Sequence, residues 1–374
     1  MRRRDFLASV AVAPPLAACS SLKPPPEALL APVPAAEHAA TIEAMRPPKR
    51  ARPVAAVLLD NRGSETTDAI VPWSVLTRSG VADVHMVSLS PGPAKLMPAL
   101  TITGAMPAED FAAAYPEGAD YVIVPAYHHA RAPDLLAFIR DAAAGGATIV
   151  GVCAGAVTVG HAGLLDGRRG TTHWFHLKEL AGISPGMEWV PDRRYVADRG
   201  VVTTTGVSAS LPVSLALVEA IAGPETVGAL AADLGAAHHD ARHDSAAFGS
   251  RSAIYGRGAA NLLNLPGRRS HVMQVEAGVD EMTLALVADA WSRTYRGGFR
   301  VVSDAPEITT RHGLTLRVDA ISAGEAMERF APAVRPGEVL EGALDRIADR
   351  YGAQTARFVA HQLEVMWRPG GGLA

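Results

Sequence analysis

The chain has 374 residues, 48% hydrophobic and 20% charged, with a formal net charge of −3. It has no basic surplus to suit it to nucleic acid, and no apolar run reaches the roughly 18–20 residues of a membrane span. The length predicts one large or two modest domains. Aromatics are only 5%, so Ala, Val, Leu and Ile must build the core.

In chain order, the first element is an address. Arg2-Arg3-Arg4-Asp5-Phe6-Leu7 resembles a twin-arginine export signal. A short apolar stretch from Phe6 to Ala18 follows, and Leu16-Ala17-Ala18-Cys19-Ser20 resembles the lipobox of bacterial lipoproteins. Residues 1–19 are therefore expected to be a signal, with Cys19 lipidated and the protein anchored on the periplasmic face of a bacterial membrane. Two cysteines occur in the chain, so Cys153 is the one thiol left after that processing. Residues 20–52, rich in Pro and Ala, read as an extended tether.

From Pro53 the pattern alternates between strand and helix. Val54 to Leu59 reads as a buried parallel strand, Glu65 to Arg78 as a helix, Val84 to Leu89 and Tyr121 to Val124 as strands. Pro133 to Ala144 reads as an amphipathic helix stopped by Gly145-Gly146, and Thr148 to Val152 as a strand. Val201 to Thr204 and a helix from Ser208 ending at Gly223 complete residues 53–235. Such alternation predicts a doubly wound, flavodoxin-like α/β fold, a parallel sheet with helices on both faces, whose ligands sit beyond the strands' carboxyl ends.

Cys153 lies at such an end, in Gly151-Val152-Cys153-Ala154-Gly155. This is a thiol version of the strand-to-helix nucleophile elbow. A helix N-terminus there favours a thiolate, so an acidic thiol is expected. The alternative is a buried structural cysteine. Tyr127-His128-His129 occupies another loop at a strand's carboxyl end.

Residues 236–270 are Gly-, Arg- and His-rich and read as a connector. His239 and His243 are four apart, a metal-capable spacing on a helix. With no further ligand recognisable, no metal site and no cofactor is assigned. Residues 271–369 then repeat the opening order in a truncated α/β copy. A strand at His271 to Val275 precedes a helix opened by Asp280-Glu281 and running through Trp291, then a strand at Phe299 to Val302. This copy lacks a cysteine. Amphipathic helices over residues 337–367 contribute Leu340, Leu344, Ile347, Ala348, Phe358, Val359 and Leu363 to the core.

Cys153-Ala154-Gly155, the run from Ala162-Gly163-Leu164-Leu165 to Thr171-Thr172-His173-Trp174, and Thr203-Thr204-Thr205-Gly206-Val207-Ser208-Ala209 together resemble the ThiJ/PfpI family. That family belongs to the class I glutamine amidotransferase-like superfamily. The resemblance spans about residues 53–235 and is closest in kind to isocyanide hydratases and to the amino-terminal domain of GlxA-type AraC regulators. It implies a carboxylic acid facing the cysteine: Asp68, four residues before Pro72, with Glu65 one turn earlier. It also implies that His173 lies near the sulfur, and that Ala154, Gly155, Ala126 and Tyr127 form the oxyanion and pocket region. The chain departs from the family at three points. Pro125-Ala126-Tyr127 replaces Pro-Gly-Gly, Ala154 replaces the histidine of the proteolytic branch, and Pro212 replaces an aspartate of the hydratases.

Two functions fit these residues, and a redox role for the thiol is a third. In one, Cys153 attacks a small carbonyl, amide or nitrile-like electrophile while Asp68 and His173 handle protons. In the other, the domain senses a small ligand without catalysis or DNA binding. The expected partners are that small molecule, the membrane through Cys19, and a second copy of the chain as a homodimer, but no nucleic acid.

Overall fold

The computed structural model describes residues 30–267, 270–320, 328–329 and 335–369. Val54–Leu59 is buried at every position and lies within a seven-stranded sheet. The sheet order is Tyr195–Asp198, Val201–Thr204, Thr148–Gly151, Tyr121–Val124, Val54–Leu59, Asp83–Ser88, Met106–Pro107. Every neighbouring pair is parallel except the first two strands, which form an antiparallel hairpin. A parallel sheet covered on both faces needs strands that are apolar throughout. Alternate residues accordingly enter different cores: Ala55, Val57 and Leu59 one, Val54, Ala56 and Leu58 the other.

The helices follow the expected order, with one change at Gly223. Ser210–Leu234 continues past that residue, which adopts φ 85° and kinks the helix. Pro224 follows, and proline suits the first turn of the resumed helix. Among the described residues this is the one helix long and apolar enough to cross a membrane by length and composition, and 61% of its apolar window is buried inside the protein.

Two stretches differ from expectation. Residues 30–52 of the expected tether are packed, with a helix at Ala35–Ala44. The prolines (Pro32, Pro34, Pro47, Pro48) flank an Ala-rich run that is free to be helical, and Val33 and Ile42 pack on the core. Asp120 Oδ1 accepts hydrogen bonds from the amides of Lys49 and Arg50, both at 3.1 Å. Residues 1–29, with Cys19, lie outside the described residues. Within 236–270, Ser252–Leu263 is a helix burying Ile254, Gly258 and Asn261. Its apolar face is small, and Asn261 is buried because its side-chain amide donates to Thr294 O at 2.9 Å.

The second half contains a four-stranded parallel sheet ordered Asp319–Ala320, Phe299–Ser303, His271–Gln274, Glu328–Arg329. This matches the order of Met106–Pro107, Asp83–Ser88, Val54–Leu59 and Tyr121–Val124 in the large sheet. The copies touch reciprocally. Helix Glu281–Ser292 packs against helix Thr66–Ser79. The acids at the two N-caps, Glu65 and Asp280, each accept from an amide three residues on. Each also pairs with an arginine of the other copy, Arg293 with Glu65 and Arg78 with Asp280. Both arginines follow their own copy's N-cap acid by thirteen residues. Each arginine Nε donates to the residue four before it, Ser74 or Asp289. Such exchange of equivalent contacts is the signature of a twofold arrangement, here within one chain. The strand Thr315–Arg317 runs antiparallel to Thr101–Thr103, with Leu316 opposite Ile102, and so joins the halves in one mixed sheet.

Candidate active site

The strand Thr148–Gly151 delivers Cys153 to its carboxyl end, and a helix begins at Gly155. Cys153 has φ 54°, a left-handed conformation that costs a non-glycine residue on the order of 1–3 kcal/mol. The surroundings hold it there: its amide donates to Thr204 Oγ1 at 2.9 Å, and Thr172 Oγ1 donates to its carbonyl at 3.0 Å. A Cβ on Gly155 would lie 1.9 Å from Val124 O, so the elbow tolerates only glycine there. We expect Gly155→Ala to lose about 3 kcal/mol, the upper end of usual overpacking costs, and thermal melting of the variant checks this. An unchanged melting temperature would mean that the elbow relaxes freely.

Cys153 is only 7% exposed and borders a cavity of about 1210 Å³. Ala154, Glu65, Ala126, Tyr127 and His173 line it from the first half, and Arg293, Tyr295 and Phe299 from the second. Gly155 lies just behind, its amide spent on Val152 O at 2.7 Å.

Beside the cysteine is a buried cluster of acids. Glu65 caps the Thr66–Ser79 helix, and its Oε2 accepts from the Asp68 amide at 2.6 Å. Asp68 Oδ2 accepts from the Ala126 amide at 3.2 Å, and its Oδ1 has no hydrogen-bond partner among the described residues. Arg293 enters from the second half. Its Nη2 lies 3.1 Å from Glu65 Oε1 and its Nε 2.7 Å from Asp289 Oδ1. Thr67 Oγ1 donates to Asp289 Oδ2 at 3.3 Å.

One guanidinium thus pairs with two buried carboxyls, with Asp68 and the thiol close by. Burial, then the charges of Asp289 and Asp68, push Glu65 well above the usual carboxyl range. Burial lifts Asp68 to about 7. Burial opposes the Arg293 charge, but Asp289 and Glu65 outweigh it and hold the guanidinium protonated. Burial, then the negative charges of Asp68 and Glu65, push the Cys153 thiol up. This reverses the expectation of an acidic thiol. The helix behind the cysteine, Gly155–His161, has only seven residues, too short to offset desolvation and a surplus of acids.

His173 lines the same cavity, but both ring nitrogens are committed. Nδ1 accepts from the Phe175 amide at 3.2 Å, and Nε2 donates to Gln362 O at 2.9 Å. Burial keeps the ring neutral. It therefore positions the loop and does not take the thiol proton, contrary to the proton-handling role expected from sequence. Ala126 also differs from expectation: the amide that would serve an oxyanion is spent on Asp68. The Tyr127 hydroxyl donates to Leu58 O at 2.8 Å, which turns its polar end into the sheet.

Three participants come from the second half and were not found in the sequence. Asp289 lies in the mostly apolar stretch Met282 to Trp291, and Arg293 follows it by four residues. That spacing was a signal, since a charged pair one turn apart on an apolar helix needs a buried partner. Glu364 is the third. Its Oε1 accepts from the Trp174 amide at 2.7 Å and its Oε2 from the Gly206 amide at 2.9 Å, which clasps two motif loops together. His239 and His243 do not converge. His239 faces Glu219, and His243 lies 3.5 Å from Glu364.

Residues 54–220 match the DJ-1/PfpI family. A Streptomyces lividans protein described as an uncharacterized protein in the cpoL 5'region is 45% identical over 53 residues, 14% of this chain. The chain spans 38% of the length of that curated relative. Among solved structures, a ThiJ/PfpI family protein from Pseudomonas syringae is similar at 25% identity and a TM-score of 0.45, over 50% of this chain and 76% of that one. Drosophila melanogaster DJ-1beta is similar at 22% identity and a TM-score of 0.44, over 50% of this chain and all of that one. An AraC family transcriptional regulator from Pseudomonas putida is similar at 22% identity and a TM-score of 0.42, over 48% of this chain and 97% of that one.

Proposed function

We propose that this chain, whose residues 54–220 are a DJ-1/PfpI family domain, uses Cys153 as a nucleophile toward a small electrophile such as an aldehyde, amide or nitrile. The observation that carries this reading is Cys153 at φ 54°, held at the elbow beside a cavity that also presents Glu65 and Arg293. An inert core cysteine has no need of that backbone conformation. With an aldehyde, the sulfur forms a C–S bond as the carbonyl π bond breaks, and its electron pair goes to oxygen. The thiol proton ends on that oxygen, so the product is a hemithioacetal. Asp68, with a pKa of about 7, is matched to relay the proton near neutrality.

A second reading, a ligand sensor, is favoured by one observation: the Ala126 amide is spent on Asp68 and does not face an oxyanion. Incubation with small aldehydes, amides and nitriles separates the readings. Turnover lost in Cys153→Ala supports the enzyme, and saturable binding retained in Cys153→Ala supports the sensor. Absence of both turnover and binding contradicts each.

The amino-terminal residues extend the proposal to location. The protein is exported through the twin-arginine signal and anchored at the periplasmic face by lipid on Cys19. Palmitate labelling of cells should mark the wild type and be lost in Cys19→Ala. An unlabelled wild-type protein in the cytosol would contradict the anchor.

A further inference from the structure

We propose that His38, Glu219 and His239 form a binding site for a divalent transition-metal ion of the zinc type. The site stands apart from Cys153 and does not depend on the function proposed above. The three side chains come from three segments: the Ala35–Ala44 helix, the Ser210–Leu234 helix, and the loop after it. Their ligand atoms all lie within 4.8 Å of one another. Glu219 Oε2 is 3.0 Å from His38 Nε2 and 2.9 Å from His239 Nε2.

The donor set selects the ion. Two imidazole nitrogens and one carboxylate oxygen suit Zn²⁺ or Co²⁺, whereas Ca²⁺ and Mg²⁺ require oxygen ligands. Ligands about 2.0–2.1 Å from a tetrahedral ion stand roughly 3.3 Å apart. The carboxylate–imidazole separations need only widen by a few tenths of an ångström. The side chains of His38, Glu219 and His239 are 23%, 13% and 22% exposed. The ion would therefore have a route in, and water can complete its shell.

Two features single out the cluster. Glu219 is the one charged residue between Ser210 and Ala222, on an otherwise apolar helix, and both imidazoles turn their Nε2 to the same oxygen. The backbone around the histidines is also braced independently. Tyr195 donates to His239 O at 2.9 Å, the Val33 amide donates to Asp240 Oδ2 at 3.2 Å, and Arg242 clamps Asp240 through both carboxylate oxygens. Arrangement of ligands before the ion arrives is what a binding site requires and what a chance surface cluster lacks. Once bound, the metal would fasten the Ala35–Ala44 helix to the domain.

The test uses the untagged full chain, stripped with a chelator and titrated with Co²⁺, then competed with Zn²⁺. The expected result is one equivalent of Co²⁺ with visible bands of tetrahedral nitrogen and oxygen ligation, displaced by Zn²⁺, and a melting temperature raised by Zn²⁺. His38→Ala, His239→Ala and the near-isosteric Glu219→Gln should each weaken Co²⁺ binding by at least about tenfold, while His85→Ala binds as wild type. Melting of each variant in chelator shows that it folds, and Glu219→Gln serves where a histidine variant does not. Wild-type binding in Glu219→Gln, no saturable binding in the wild type, or a thiolate-to-cobalt charge-transfer band would each overturn the proposal. In those cases the cluster is a hydrogen-bonded clasp alone.

Discussion

Arg293→Met should destabilise the protein by about 3–5 kcal/mol at neutral pH, the usual result of removing one partner from a buried ion cluster. Arg293 is the guanidinium within hydrogen-bond reach of both Glu65 and Asp289, and all three side chains are at least nine-tenths buried. Without it, two buried carboxyls lose their cationic partner. The loss should depend on pH. Glu65 already has a folded-state pKa above its ordinary value, and loss of the cation raises it further. A carboxyl with a raised folded pKa adds stability while protonated and loses it as pH rises from the unfolded value of about 4.3 through the folded one. The variant should therefore approach wild-type stability in mild acid and fall away toward pH 8. Denaturant melts across that range check this. A second variant that also carries Glu65→Gln and Asp289→Asn should recover much of the loss. An Arg293→Met protein as stable as wild type at pH 8 would show that solvent reaches the cluster.

Residues 30–235 expressed alone should aggregate or melt far below the full chain. Removal of the second half uncovers the face of helix Thr66–Ser79 that packs on Glu281–Ser292 and opens the Thr101–Thr103 edge paired with Leu316. An apolar face and an unpaired strand edge together invite association. The truncation also removes Arg293 from Glu65 and Glu364 from the amides of Trp174 and Gly206. Size-exclusion chromatography and thermal melting of the fragment provide the check. A monodisperse fragment that melts with the full chain would mean that the halves are energetically independent.

These results trace what the sequence made legible. The doubly wound sheet was readable because its strands are apolar throughout and bounded by glycine and proline. The elbow was readable because Gly151 and Gly155 bracket Cys153 at the end of such a strand. Asp68 came from a resemblance, as its own helix gives no sign of what it faces. The charged pair of Asp289 and Arg293 left a signal, but the pairing of Arg293 with Glu65 and of Glu364 with the amides of Trp174 and Gly206 was not readable, because those partners lie 228, 190 and 158 residues away and only the paired halves bring them together. The Ala35–Ala44 helix was hidden by the flanking prolines, which give the whole segment the composition of a tether. His173 was legible as a neighbour of the cavity but not in its role, which is set by the carbonyl of Gln362 in the second half.

The most direct test of the account is the rate of Cys153 alkylation by iodoacetamide against pH, in wild type and Asp68→Asn, with modification mapped to the residue. Burial and the surplus of acids place the wild-type inflection above the free-cysteine value of about 8.5. In Asp68→Asn, one negative charge beside the sulfur is gone above pH 7, so the inflection should move down. A wild-type inflection below 7, or identical profiles for the two proteins, would contradict a Cys153 governed by the Glu65, Asp68 and Arg293 cluster.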